Sequence, residues 1–320
     1  MSSTQHTTYP RISSPAARHV RAHAGSVSLV FALAFAACAT STGPAPNPAG
    51  TGTLAAARNG GIALFATDGS GYRQLVPEGT FSVAGPLVWD PSGTELLFNP
   101  DPGYVAGQRL YTVDLNGNIT RVTHDDTLFD AEMWGQYSPD GSWIYFGGGR
   151  MDGGTIWRVH PDGTGLETAP GLPYVSGINN INPTLSPDGT RLAYVAFLGT
   201  GDNVIRVLDI TTGTVNYLDV PGHTPRWAPN DDRIAYIVPT PATSRWGPIW
   251  VMHADGSQRH QISAPDRSYS FGINWSPDDE WIAASAADSG RVELINVTSG
   301  ETVPVDSTSG FLSPAWEPGT

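Results

Sequence analysis

The chain contains no lysine: all 17 of its basic residues are arginine, set against 30 acidic ones. Its 320 residues include one cysteine, Cys38. That excludes an internal disulfide framework and a cysteine-rich zinc site. Acidic residues are missing before Cys38, where Arg11, Arg18 and Arg21 lie. A chain beginning at Cys38 therefore carries 14 basic and 30 acidic groups, a formal charge of −16. Such a balance disfavours non-specific nucleic-acid binding, which needs a basic patch to displace counterions. No Gly-x-Ser-x-Gly pentapeptide and no Asp-x-Asp-x-Asp-Gly calcium loop is present. What the chain has in plenty is turn residues. Its 37 glycines and 27 prolines make up a fifth of the whole, too many for a helical bundle. Ten Trp, 11 Tyr and 10 Phe supply core material for an all-β domain instead.

The first 37 residues have the parts of a secretory signal peptide. A basic, acid-free segment precedes the apolar run Val27–Ala37, whose 11 residues rise only about 16 Å as a helix. That is short of the roughly 30 Å hydrocarbon core of a bilayer. Small residues end the run, as signal cleavage requires. Phe35-Ala36-Ala37-Cys38 resembles a bacterial lipobox, with Phe35 in place of the usual Leu. The resemblance implies that Cys38 is lipidated and becomes the mature N-terminus; the alternative is a plain signal peptide with an incidental cysteine. Residues 38–52 read as a flexible tether, since 39–52 hold no large apolar side chain. Fully extended, those 14 residues reach at most about 50 Å. Ala39, rather than Asp, follows the cysteine; by resemblance to the lipoprotein sorting rule this favours the outer membrane.

Residues 53–320 are one unit written six times. The first motif is an aromatic or apolar residue followed by a proline turn: Trp89–Pro91, Tyr137–Pro139, Leu185–Pro187, Trp227–Pro229, Trp275–Pro277 and Trp316–Pro318. The second is a short apolar strand ending in a glycine turn, at Gly69, Gly117, Gly163, Gly213, Gly256 and Gly300. Proline presets φ for a turn, Asp or Asn tolerates the next position, and glycine accepts positive φ. Two hairpins per period of about 45 residues give four strands, the pattern of a propeller blade. Labelled a to d from the inside out, the chain enters on a b strand at Thr53–Arg58 and leaves on an a strand at Phe311–Glu317. The fold expected is a six-bladed β-propeller, closed by the C-terminal strand joining the N-terminal blade.

Ser-Pro-Asp-Gly before an apolar strand, with Ile249-Trp250-Val251-Met252-His253-Ala254-Asp255-Gly256-Ser257, resembles the WD-like repeat of the TolB C-terminal propeller. The resemblance covers roughly residues 53–320. Similar blades occur in prolyl oligopeptidase-type enzymes, but the missing pentapeptide and the length leave no room for their hydrolase domain. The repeats themselves are structural, so their Asp and Trp residues are not read as catalytic.

In such a ring the a–b and c–d turns lie on one face and the longer b–c and d–a loops on the other. Binding is expected on the loop face. His124, Asp125, Asp126, Asp130 and Glu132 either bind a divalent cation, the carboxylate oxygens suiting calcium, or form a solvated acidic loop. His223 and Arg226 either grip an anion or Arg226 pairs with a neighbouring acid. Asn179, Asn180 and Asn182 line a polar channel or satisfy turns. Trp246, beside Arg245, is expected to be exposed. Trp246, Asp266, Arg267, Tyr269 and Phe271 form a contact surface, or the aromatics belong to the core. The expected function is that of an envelope lipoprotein, lipid-anchored on the periplasmic side. Its TolB-like propeller would be a non-enzymatic module binding a protein or peptide, with no cofactor required and no nucleic-acid partner. The alternatives are a metal-assisted enzyme of lyase, lactonase or glycosidase type and a carbohydrate-binding module.

Overall fold

The computed structural model describes residues 52–319, apart from 84–85, 102–107, 125–126, 151–152, 175–178, 199–202, 241–245, 271 and 307. The leader, Cys38 and nearly all of the tether lie outside the described residues. So do Asp125, Asp126, Arg245 and Phe271.

The described residues form an all-β propeller without helices. Each four-stranded sheet is built on the two turn motifs. Val88–Trp89, Glu95–Phe98, Tyr111–Asp114 and Ile119–Arg121 form one such sheet. His223–Trp227, Arg233–Ile237, Ile249–His253 and His260–Gln261 form another. Asn274–Trp275, Trp281–Ser285, Val292–Asn296 and Thr302–Pro304 form a third. An eight-stranded sheet holds two antiparallel runs, Ala131–Thr168 and Asn179–Pro221, joined by a single parallel pairing of Gly154 with Asn179. In the remaining four-stranded sheet, Leu312–Trp316 pairs antiparallel with Thr53–Arg58, matching Leu54 to Trp316 and Ala55 to Ala315. The two ends of the described chain thus share a sheet, as the repeat count predicts.

The turns are held by the residues that define the motifs. In Ser138-Pro139-Asp140-Gly141 the Ser138 hydroxyl donates to Asp140 Oδ1 at 2.6 Å and accepts from Trp143 N–H at 2.9 Å. Ser186 and Asp188 repeat the arrangement. These bonds stabilise the ionised carboxylate, and Asp188 falls to about 2, its serine partner being the largest cause. In the second motif Asp114, Asp162 and Asp255 each accept the N–H two residues on, at 2.8–2.9 Å. The repeat aspartates are therefore turn builders.

Hydrophobic burial lies between consecutive sheets and between the two halves of the eight-stranded one. Ala235 and Ile237 meet Trp275 and Ile282 in one cluster; Tyr145 and Ile156 meet Leu192 and Tyr194 in another. Strands covered on both faces lose the polar alternation of a one-sided sheet, and Trp281–Ser285 is buried at every position. The outermost strand Thr214–Pro221 is largely exposed.

Candidate functional site

The innermost strands carry a second repeat that residue types conceal. Three residues before the closing aromatic or apolar position, the backbone turns left-handed. This occurs at Trp134 (φ 53), Asn182 (φ 54), Thr224 (φ 54), Gly272 (φ 95) and Ser313 (φ 52). At Trp134, Asn182 and Thr224 the pairing with the next strand shifts register, as at a β-bulge. A left-handed β-branched or bulky residue is unusual. The left-handed turn recurs at this place in five repeats, which marks it as part of the blade design.

The bulge presents the residue just before the closing position to the ring axis. Gln136, Thr184, Arg226 and Asn274 occupy that place in four successive repeats, with Val88 at the same place in an earlier one. Neighbouring repeats are stitched here. Trp227 N–H donates to Thr184 Oγ1, and Trp316 N–H to Asn274 Oδ1, each at 3.1 Å. The Trp275 indole N–H donates to Arg226 O at 2.9 Å, and that of Trp89 to Ala315 O at 3.3 Å.

Together these residues line a cavity of 360 Å³. Trp89, Tyr137, Leu185, Trp227, Trp275 and Trp316 contribute one tier, and the turn prolines 91, 139, 187, 229, 277 and 318 another. Every repeat supplies the same positions, so the cavity lies on the ring axis. It opens on the face of the a–b turns, opposite the loop face on which binding was expected. Arg226 is 4% exposed. Its Nη1 donates to Pro225 O at 2.8 Å, its Nε has no acceptor, and it forms no ion pair among the described residues. Burial lowers its pKa to about 10, leaving it charged at neutral pH. Glu317 is the one carboxylate among the described residues of the lining.

The other sequence candidates lie elsewhere. His223 shares the strand of Arg226 but lies beyond the bulge; it is buried, with Nδ1 2.9 Å from Thr224 Oγ1. Glu132 is fully buried, where its Oε2 accepts from Leu110 N–H at 3.1 Å and from the Thr123 hydroxyl. Asp130 is exposed, and Asn182 is buried at a bulge. Among the described residues no three His, Cys, Asp or Glu side chains gather as a metal site would require. On the loop face, Trp246, Asp266, Arg267 and Asp288 do meet around a shallow cavity of 270 Å³. Trp246 is 41% exposed there, as expected. Tyr269 is not part of that surface: it is fully buried, and its hydroxyl donates to Glu293 Oε2 at 2.9 Å while Arg267 pairs with Glu293 Oε1.

Of the axial residues, the sequence candidates include Arg226 and miss Gln136, Thr184 and Asn274. The signal was within reach. The position before each closing residue changes type from repeat to repeat, and a ring gathers equivalent positions at one level.

No family model matches the chain. Over 163 residues, 47% of its length, it is 29% identical to an uncharacterized protein of Agrobacterium fabrum, and it spans 53% of that protein, about half. Among solved structures it is similar to TolB from Acinetobacter baumannii, with a TM-score of 0.66, 15% identity and coverage of 84% of this chain and 67% of that one. It is similar to a chain of a nidogen/laminin complex at TM-score 0.63 and 11% identity, covering 83% and 98%. An oligogalacturonate lyase in complex with manganese gives a TM-score of 0.50 at 15% identity, covering 79% and 73%. At such identities the likeness is one of fold. The class it defines is the all-β propeller of TolB-like build.

Proposed function

We propose that this chain is a binding module of the bacterial envelope, tethered through a lipid on Cys38, whose ring takes up a segment of a protein or peptide at its axis. The eight-stranded sheet counts as two blades, because one parallel pairing joins its halves, and the ring then has six. The observation that carries the reading is the axial cavity. Flat proline and aromatic surfaces alternate there with the hydrogen-bonding side chains of Gln136, Arg226 and Asn274, a lining suited to an extended chain. The nidogen/laminin and TolB likenesses support a protein-binding role by analogy of fold.

A photo-crosslinking residue tests the reading in whole cells. Placed at Asn230, on the cavity lining, it is expected to trap a discrete partner. Placed at Tyr217, 64% exposed on an outer strand, it is expected to trap none. Identical products from both positions, or none from Asn230, overturn it. Labelling with a radioactive fatty acid tests the anchor: Cys38→Ser is expected to abolish incorporation and release the protein from membranes. The metal-assisted enzyme is the second reading, supported by the lyase likeness. Tight manganese or calcium binding by the purified chain, together with turnover of an oligosaccharide, would favour it.

A further inference from the structure

A guanidinium stays charged at physiological pH, and burying it without a counter-charge is unfavourable. Several of this chain's arginines are matched with acids, and others lie at the surface or on backbone carbonyls. Arg158 pairs with Glu167, Arg191 with Asp232, Arg206 with Asp219, Arg233 with Asp231 and Arg267 with Glu293. With 30 acidic residues for 17 arginines, partners are not scarce. Arg226, more deeply buried than any of these, has none among the described residues, and its Nε has no acceptor.

A second donor on the same lining is also left over. The indole N–H groups of Trp89 and Trp275 reach carbonyls of the preceding repeat. The equivalent Trp316 Nε1 is buried and has no partner. Asn274 spends its Oδ1 on Trp316 N–H, so the group it has left to offer is its NH₂. The lining therefore carries one uncompensated cation and a surplus of donors. Among the described residues only Glu317 opposes them, and it forms no ion pair with Arg226.

We propose that the axial cavity binds a carboxylate, held by Arg226. This rests on reading the cavity as the binding site and names what it binds: an acidic side chain or the C-terminus of a peptide. A singly charged, planar carboxylate matches one guanidinium fork. More highly charged anions face Glu317 and a chain with a net charge of −13. The unpaired cation is a local instability that the ligand relieves, the kind of stability given up at a binding site.

The test titrates the purified full chain, by calorimetry and thermal shift, with N-acetylaspartic acid α-amide, N-acetylglycine, N-acetylasparagine amide and inorganic phosphate. One of the first two is expected to bind and raise Tm, and which of them does so identifies a side-chain or terminal carboxylate. The neutral amide and phosphate are expected to bind at least about tenfold more weakly. Arg226→Met is expected to raise Tm in the absence of ligand and to weaken the carboxylate about tenfold or more. Arg226→Lys, which keeps the charge without the fork, should fall between, and Glu317→Gln should tighten binding. A lower Tm for Arg226→Met with unchanged carboxylate affinity overturns the proposal, as does equal or tighter binding of the amide or of phosphate. These probes need no partner, so carboxylate binding stands even if crosslinking at Asn230 finds nothing. Conversely, Asn230 crosslinks that Arg226→Met leaves intact would remove the carboxylate site and keep the binding module.

Discussion

Glu132 shows how a residue that reads as a ligand can be a rivet. It lies on the strand Ala131–Tyr137, fully buried. One carboxylate oxygen holds Leu110 N–H and the Thr123 hydroxyl of the preceding repeat; the other, Oε1, has no partner. Burial raises its pKa, and the Thr123 and Leu110 bonds, with the charges of Arg109 and Arg121, only partly oppose this. A carboxyl whose folded pKa is raised binds more protons in the native state. Stability is therefore fully present below the unfolded value and is lost as pH rises through the folded one. Glu132→Gln keeps an acceptor for Leu110 N–H and cannot ionise. Its stability relative to wild type is expected to be near zero at pH 4 and to grow as pH rises to 8. Urea denaturation at several pH values measures it, and a gap that shrinks with rising pH would contradict the assignment. From sequence, Glu132 was expected in a loop with His124, Asp125, Asp126 and Asp130; it lies instead on the strand Ala131–Tyr137. The sequence did not reveal that the side chain turns into the seam, because burial of one acid depends on the register of a neighbouring sheet.

At the scale of the element, the seams between repeats use one position repeatedly. The first residue of the second strand reaches the closing aromatic of the next repeat. The Tyr137 hydroxyl donates to Glu95 at 2.6 Å, Arg191 stacks over Trp227 at 4.9 Å, and Arg233 over Trp275 at 5.0 Å. Arg191 also pairs with Asp232 at 2.7 Å, although both side chains are partly exposed. Arg191→Ala is expected to cost about 1 kcal/mol, most of it from the stacking, as read from denaturant midpoints. The bulges give a sharper contrast. A Cβ on Gly272, at φ 95, would lie 2.5 Å from Ser313 Cα, so Gly272→Ala is expected to cost more than about 2 kcal/mol. Ser313→Gly removes a left-handed non-glycine residue and is expected to stabilise by about 0.5 kcal/mol. Both follow from thermal melts, and equal effects of the same sign would refute the strain argument. The turns of this fold were legible because their chemistry is local: proline, Asp and Gly act within four residues. The bulges were not, since Trp134, Asn182, Thr224 and Ser313 share a backbone conformation and no residue type. Strand pairing sets that conformation. The axial cavity was overlooked rather than hidden: its positions recur with the repeats, but Gln136, Thr184, Arg226 and Asn274 meet only where distant repeats come together.

At the scale of the described ring, one non-local pairing joins its first and last strands. Leu312–Trp316 completes the sheet begun by Thr53–Arg58. Phe311 packs against Phe65 at 5.3 Å, and Trp316 joins Leu54, Phe65 and Trp281 in one buried cluster. Ala315 O also receives the Trp89 indole, so the last strand touches the sheets on both of its sides. A ring closed in this way leaves no inner edge unpaired at the junction. Two variants separate the packing from the closure. Trp316→Ala removes core contacts and is expected to cost about 3–5 kcal/mol while keeping a single melting transition, because the strand pairing survives. Deleting 311–320 removes the pairing itself. It exposes the edge of Thr53–Arg58 and takes Phe311 and Trp316 from the cluster. Melting is then expected to broaden or split, as the sheets next to the junction unfold before the rest. The deleted chain should also self-associate through the open strand, which light scattering would detect. Calorimetry gives the decision. If the deletion melts in one transition as sharp as that of Trp316→Ala, the terminal strand only covers the core, and cooperativity of the ring arises without closure.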